Sequence, residues 1–230
     1  MRDAVERGFG QFCPVALASE VLTQRWTLLV VRELLAGSTH FNDIRRGVPR
    51  ISATLLKERL ETLEHAEIVE RRQTDGGAYE YVLTKAGEEL KPVVTSIGEW
   101  GQRWARDIQP EDLDPGWLVW NVHRRLNAVQ MPVGRTVIQI EFTDGPRDAR
   151  YFWLLCNDGR VEVCLKDPGY TVDLRVRTTV RVLAETWRGL RSVNHELRCG
   201  SIDLDGNAML RRAFPNWLLL SVYAPIARRR

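Results

Sequence analysis

The sequence is poor in the features that would announce chemistry or export. Its four cysteines, Cys13, Cys156, Cys164 and Cys199, are widely spaced in 230 residues without a CxxC pair, which argues against a disulfide framework and a structural zinc module. Of four histidines, His123 and His195 stand alone. Nearby Glu196 and Asp203 make neither a catalytic triad nor a metal-ligand spacing, so no catalytic residue and no metal is expected. The segment 200–206 has neither a P-loop nor a dinucleotide glycine pattern, so no cofactor is implied. Asp203, Asp205 and Asn207 fall short of a calcium loop and read as an exposed turn. No run approaches eighteen uncharged apolar residues, and the opening MRDAVERGFGQF carries charge where a signal peptide needs an apolar core. No membrane span and a cytoplasmic location are expected. Charge of one sign is also scarce: 33 Lys and Arg against 30 Asp and Glu give a net +3. Any claim of nucleic-acid binding must therefore rest on a local arrangement.

What is present is an ordinary globular composition, 44% apolar and 27% charged, in a chain long enough for two modest domains. The stretch 107–116, with two prolines, four acids and a glycine, reads as a linker. Apolar spacing is helical before it and strand-like after it, at 136–142, 151–156, 161–165 and 171–176. The expected domains are 1–108 and 117–230. There is no internal repeat, only a short basic end at Arg228, Arg229 and Arg230.

In the first domain helical patterns cover 14–22, then Trp26 to Leu34 up to Gly37, then Phe41 and Ile44 up to Gly47-Val48-Pro49. A further helix starts after Ser52, its natural N-cap. Two helices across so short a turn form a helix-turn-helix. In the second of them Leu56, Leu60 and Leu63 make the apolar stripe, leaving Ala53, Thr54, Lys57, Glu58 and Glu61 outside. Residues 68–72 and 79–84 flank Asp75-Gly76-Gly77, a hairpin turn, which makes a wing. Thr84 caps a last long helix carrying Leu90, Val94, Ile97, Trp100 and Trp104, whose early part Pro92 disturbs. That stripe exceeds what a small domain needs to cover itself, and a homodimer is expected.

A helix in the major groove presents side chains to base edges while nearby arginines engage phosphates. Arg50 and Ser52 lie at its entrance, Thr54 and Lys57 face the groove, Arg59 lies nearer the flank, and Arg71 and Arg72 lead into the wing. The competing reading is a solvated face of internal ion pairs, with Glu58 and Glu61 offsetting the positive charge and one of the two wing arginines folded back on an acid.

The segment resembles the HxlR-type winged-helix regulators of bacteria and archaea. The resemblance runs from Cys13-Pro14 through Arg25-Trp26-Thr27-Leu28-Leu29, Phe41-Asn42-Asp43-Ile44 and Ile51-Ser52-Ala53-Thr54-Leu55-Leu56. It continues in Leu60, Leu63-Glu64, Tyr79-Glu80-Tyr81, Leu83-Thr84 and Gly87, and closes at Trp100, covering about residues 10–105. It implies a dimeric transcription regulator on double-stranded DNA with an inverted-repeat operator. Two departures stand out: Thr54 where many members have Lys, and Glu67 where a turn Gly is usual. Some relatives sense electrophiles or disulfide stress through a cysteine at the position of Cys13. That thiol reads either as a small packed side chain or as an oxidisable group at a helix start, while Cys156 and Cys164 read as core.

The second half resembles the sterol-carrier-protein-2-like fold, an α/β module around an apolar cavity, through 153–161, 168–174, 183–190, 200–206 and Leu210 to Phe214. Asn157-Asp158-Gly159 reads as a hairpin turn. A helix carries Val180, Leu183, Ala184 and Trp187, and later helices cover 208–214 and 217–223. Trp120, Trp153, Trp187, Phe214 and Trp217 either line a cleft for a small apolar or aromatic ligand or fill the core. The fold class is thus a mainly α winged helix-turn-helix domain with a β-hairpin wing, followed by an α/β sterol-carrier-like domain. The functional reading is a dimeric, ligand-modulated DNA-binding regulator and not an enzyme. Its alternatives are a Cys13-based redox or electrophile sensor with a structural C-terminal domain, and a lipid-binding or transfer protein whose winged helix contacts other proteins.

Overall fold

A computed structural model describes residues 8–229, and its contacts divide the chain into two compact units, Met1–Ile97 and Gly98–Arg230. Residues 1–7 of the charged opening and Arg230 of the basic end lie outside the described residues.

The first unit begins with helices α1 (Pro14–Leu22), α2 (Thr27–Leu35) and α3 (Phe41–Gly47). Helix α4 (Ala53–His65) follows, its start fixed by the Ser52 hydroxyl, which accepts from the Leu55 amide at 3.2 Å. Strands β1 (Val69–Gln73) and β2 (Tyr79–Leu83) pair antiparallel with Val69 opposite Leu83 and Gln73 opposite Tyr79. Their turn closes through the Thr74 amide on the Ala78 carbonyl, with Gly77 at a φ of 78° that favours glycine. The core is aliphatic and small: Val30, Val31 and Leu34 of α2 meet Ile44, Leu56, Leu60, Leu63 and Val69, with Tyr81 and Leu83 against them.

The single long helix expected after Thr84 is broken in two. Thr84 caps only α5 (Lys85–Glu88), and α6 (Lys91–Trp104) restarts with Pro92 as its second residue. Proline offers no amide hydrogen and its ring collides with the carbonyl four residues back, so a first turn accommodates it most readily.

An ion pair between buried Glu33 and half-buried Arg32 braces this unit. Glu33 is 1% exposed and accepts from Arg32 Nη2 at 2.8 Å, while the same nitrogen donates to the Gly47 carbonyl at 2.7 Å. The end of α3 is thereby held to α2. Gly47 is required there, since a Cβ would lie 1.9 Å from the Glu33 carboxylate.

The second unit contains α7 (Pro115–His123), whose first residues were read as linker. Asp114 is its N-cap, accepting from the Trp117 amide at 2.8 Å, and Pro115 is its first residue. Strands β3 (Arg135–Phe142), β4 (Tyr151–Asn157), β5 (Arg160–Cys164), β6 (Leu174–Thr178) and β7 (Asp203–Gly206) form one sheet in the order β5-β4-β3-β6-β7. It is mixed: β3 and β6 run parallel and the other pairs antiparallel. The β4–β5 hairpin turns on Asp158 and Gly159, both at positive φ, 47° and 83°, as a two-residue primed turn requires.

Helices α8 (Val180–Trp187), α9 (Val193–Arg198) and α10 (Ala208–Trp217) complete the unit. Val180, Leu183 and Trp187 of α8, Leu210, Phe214 and Trp217 of α10, and Leu118, Val119 and Val122 of α7 pack with Ile138, Ile140, Phe152, Leu154, Leu174 and Val176 of the sheet. The other face carries the alternate residues, among them Glu141, which pairs with Arg150 at 3.0 Å and Arg177 at 3.3 Å.

Two expectations need correction. Residues 217–223 are not a helix: after Trp217 the chain extends, the Asn127 amide donating to the Trp217 carbonyl and the Leu219 amide to the Arg125 carbonyl. Pro215 sits in the last turn of α10, and Leu218 leaves helical geometry at ψ 85°. The segment 203–206, read as an exposed turn, is the edge strand β7. Its partner β6 supplies the pairing, which an edge strand with outward acids does not advertise.

Candidate nucleic-acid interface

Helix α4 owes its orientation to its leucines. Leu56, Leu60 and Leu63 are buried to within 1% exposure, and the opposite side, Ala53, Thr54, Lys57, Glu58 and Glu61, is exposed. Ser52 is exposed yet engaged as the cap, so its hydroxyl fixes the first turn. Lys57 lies 3.7 Å from Glu61 one turn on, with both side chains largely in solvent, and so loosely paired a cation can exchange partners. Arg50 is exposed in the turn before α4.

The remaining arginines differ. Arg59 is turned inward: Nε donates to the Arg25 carbonyl at 3.1 Å and Nη1 to Gln24 Oε1 at 2.8 Å, which ties α4 to the α1–α2 turn. Arg71 is exposed on β1 with its guanidinium 4.5 Å from the centroid of the Tyr79 ring across the hairpin. Arg72 donates to Glu70 Oε2 at 2.8 Å, and that bond holds the Glu70 carboxyl below its usual range. Arg45 and Arg46 of α3, not singled out from sequence, are exposed and line a concavity of about 360 Å³ with Asn42 and Pro49. They follow Ile44, whose apolar signal drew attention instead.

Of the aromatic residues in the second unit, Trp187, Phe214 and Trp217 belong to the core, with Trp117 edge-on to Trp187 at 6.1 Å. Trp153 is buried on β4, and Trp120 is half-buried, its ring 4.6 Å from that of His123. The indole nitrogens of Trp153 and Trp187 and the Thr186 hydroxyl are buried without a hydrogen-bond partner among the described residues. A separate open cavity of about 800 Å³ is lined by Arg125, Arg191, Asn194, Asn216, Leu219 and Val222, among others. None of the five aromatic candidates borders it.

The thiols separate into two kinds. Burial pushes Cys156 up to about 12, and burial with the Glu162 charge raises Cys164. Cys13 and Cys199 are exposed. Cys13 is the N-cap of α1, with no side-chain capping bond and Pro14 behind it.

Helices α3 and α4, the tight turn between them and the β1–β2 wing define a winged helix-turn-helix module. Residues 21–109 match the family model for HxlR-like helix-turn-helix proteins. The chain is 36% identical to the helix-turn-helix transcriptional regulator YvaP of Bacillus subtilis over 107 residues, 45% of this chain and 96% of YvaP. It is 34% identical to the regulator YodB of the same species over 95 residues, 40% of this chain and 85% of YodB. The chain therefore belongs to the HxlR-like family of helix-turn-helix transcriptional regulators, whose members matched here are regulators rather than enzymes. A solved structure of reduced YodB is 30% identical and covers 43% of this chain and 100% of its own, at a TM-score of 0.38. YodB has also been solved quinone-bound and diamide-treated. No helix among the described residues is long and apolar enough to cross a membrane.

Proposed function

We propose that the protein is a homodimeric regulator that sets α4 in the major groove of an inverted-repeat operator, with the wing on the flanking backbone. The observation that carries this reading is the exposed polar side of α4, Thr54 and Lys57 above all, presented beside a hairpin with an outward cation at Arg71. Thr54 and Lys57 meet base edges or the groove wall. Arg50 and Arg71 meet phosphates, and Ser52 offers its end of the helix to a phosphate. Arg72 joins them by exchanging Glu70 for phosphate, whereas Arg59 serves the fold of α4 more than the duplex. The dimer uses Val93, Ile97, Trp100 and Trp104, which recur at steps of four, three and four along α6 and are all exposed. In this division of labour 1–108 binds DNA and pairs subunits, and 117–230 is the sterol-carrier-like input module in the cytoplasm.

For the input, the reading favoured here is oxidation at Cys13. Its thiol is exposed, it caps no backbone amide, and the family relative YodB has been solved quinone-bound. An oxidant takes two electrons and two protons from the Cys13 thiols of two subunits and leaves a disulfide, or an electrophile alkylates one of them. A second input, a small apolar or aromatic ligand, is supported by the buried unpartnered Trp187 indole and Thr186 hydroxyl. These are a donor and an adaptable group for a ligand acceptor in the core they share with Phe214 and Trp217, whereas Trp153 lies on the other face of the sheet. Either input changes operator affinity only through different affinities for two arrangements of the dimer.

Selection of duplexes from a random pool by the purified protein tests the first step, and recovery of no enriched sequence overturns it. Titration of the selected operator before and after diamide, in wild type and Cys13→Ser, tests the input. Diamide weakens wild-type binding and leaves Cys13→Ser unchanged; equal responses remove Cys13 as the switch. If a retained apolar ligand is found by native mass spectrometry and its removal shifts operator affinity in both proteins, the second input is the one in use.

A further inference from the structure

We propose that His195, Glu196 and Cys199, at the C-terminal end of α9, form a binding site for a divalent zinc ion. One ligand atom from each of these residues lies within 4.8 Å of the others. The helix explains the convergence: His195 and Cys199 are four residues apart, Glu196 and Cys199 three, so Cys199 neighbours both one turn away. Helix α9 ends at Arg198 with Cys199 as its C-cap, and Gly200, at a φ of 75°, turns the chain back. The Ile202 amide then donates to the Glu196 carbonyl at 3.1 Å, and Ser201 Oγ comes 3.2 Å from the Cys199 sulfur.

Glu196 makes this more than a surface cluster. It is 3% exposed, and a buried carboxylate requires close compensation. Its ion pair with Arg191 is long at 3.5 Å, and the Cys199 thiol approaches Oε2 only to 3.9 Å. Both contacts fall on Oε2 and both are long, which leaves room for a cation between the carboxylate and the sulfur. Imidazole, carboxylate and thiolate together form a zinc set: the sulfur argues against magnesium and calcium, and the mixed donors argue against the all-sulfur preference of cuprous ion. Donors of one tetrahedral zinc stand roughly 3.5 Å apart, so closing the site takes about an ångström. The exposed side chains of His195 and Cys199 can supply that by rotation while Arg191 holds Glu196 in place. On binding, the thiol proton passes to solvent, thiolate and carboxylate balance the two positive charges, and Ser201 donates to the sulfur. The fourth position is left to water.

The test uses the full chain, purified without metal and loaded with zinc, or with cobalt as its spectroscopic stand-in. One ion per chain is expected. The cobalt form should show intense tetrahedral visible bands and a sulfur-to-cobalt charge-transfer band, which Cys199→Ser abolishes and Cys13→Ser retains. His195→Ala and Glu196→Gln should each weaken zinc at least about 10-fold in competition with a chromophoric chelator. In the unaltered protein, zinc should protect Cys199 but not Cys13 from iodoacetamide, read by mass spectrometry, so the result does not depend on a variant folding. Equal alkylation of Cys199 with and without zinc overturns the proposal. So does a charge-transfer band that survives Cys199→Ser, or full affinity in both His195→Ala and Glu196→Gln.

Discussion

In the first unit the residues assigned to a partner stand outside a small aliphatic core, whereas in the second the aromatics assigned to a ligand are mostly inside one. Thr54 and Lys57 are exposed because Leu56, Leu60 and Leu63 hold the opposite side of α4. Trp187, Phe214 and Trp217 are buried by the same periodicity acting on α8 and α10. An apolar stripe at helical spacing thus reports the core in both units. Its functional meaning lies in what the stripe leaves outward, which for α8 and α10 is mostly polar surface. The comparison breaks if Trp217 proves to be a ligand contact rather than a packing residue. Trp217 is 1% exposed, and Trp217→Ala should destabilise the second unit by roughly 4 kcal/mol in denaturant unfolding. Recovery of that loss by an added apolar ligand would show that the space normally admits one.

The next largest effect belongs to the first unit and is polar. Glu33→Ala removes the buried carboxylate that orients Arg32 between α2 and α3, and leaves a half-buried guanidinium with the Gly47 carbonyl and an empty space beside it. The expected loss is roughly 3 kcal/mol in chemical denaturation. Glu33→Gln should lose less, and equal losses would mean that packing rather than charge sets the cost. The two units would then be stabilised alike.

Smaller still is the contrast among cations around α4 and on the wing. Arg50→Ala and Arg71→Ala should each lower the slope of log affinity against log salt by about one unit, one phosphate contact apiece. Arg59→Ala should leave that slope unchanged and instead lower stability, because its guanidinium is committed to Gln24 and Arg25. An Arg59→Ala protein with an unaltered melting temperature and a reduced slope would return Arg59 to the interface.

Much of this was legible in the sequence, for identifiable reasons. Helix α4 was readable because three leucines at offsets of four and three follow a serine cap, and each signal is local. The β4–β5 turn was readable because Asn157-Asp158-Gly159 tolerates positive φ. Strand β7 was hidden because its pairing comes from β6, about thirty residues earlier, while its own outward residues are acids. The Arg32–Glu33–Gly47 brace was also hidden, since adjacent opposite charges usually indicate solvent and only the fold brings Gly47 to them. The His195, Glu196 and Cys199 cluster is hidden because isolated spacing says nothing of burial, and burial of Glu196 gives the cluster its weight.

Glu67 permits the finest test. It occupies the turn between α4 and β1 at a φ of 56°, a left-handed backbone that a side chain adopts at a cost, and it stands where the family usually has glycine. The turn persists because its neighbours hold it: the Ile68 amide donates to the Leu63 carbonyl, and Thr84 Oγ1 donates to the Glu67 carbonyl at 2.6 Å. Glycine removes the steric cost but adds freedom to the unfolded chain, so the two effects oppose each other. Glu67→Gly should therefore stabilise the first unit by about 1 kcal/mol or less, as a small rise in melting temperature with unchanged operator affinity. A loss of stability would mean that the glutamate side chain contributes more than its backbone costs. The first unit would then draw stability from an exposed charge.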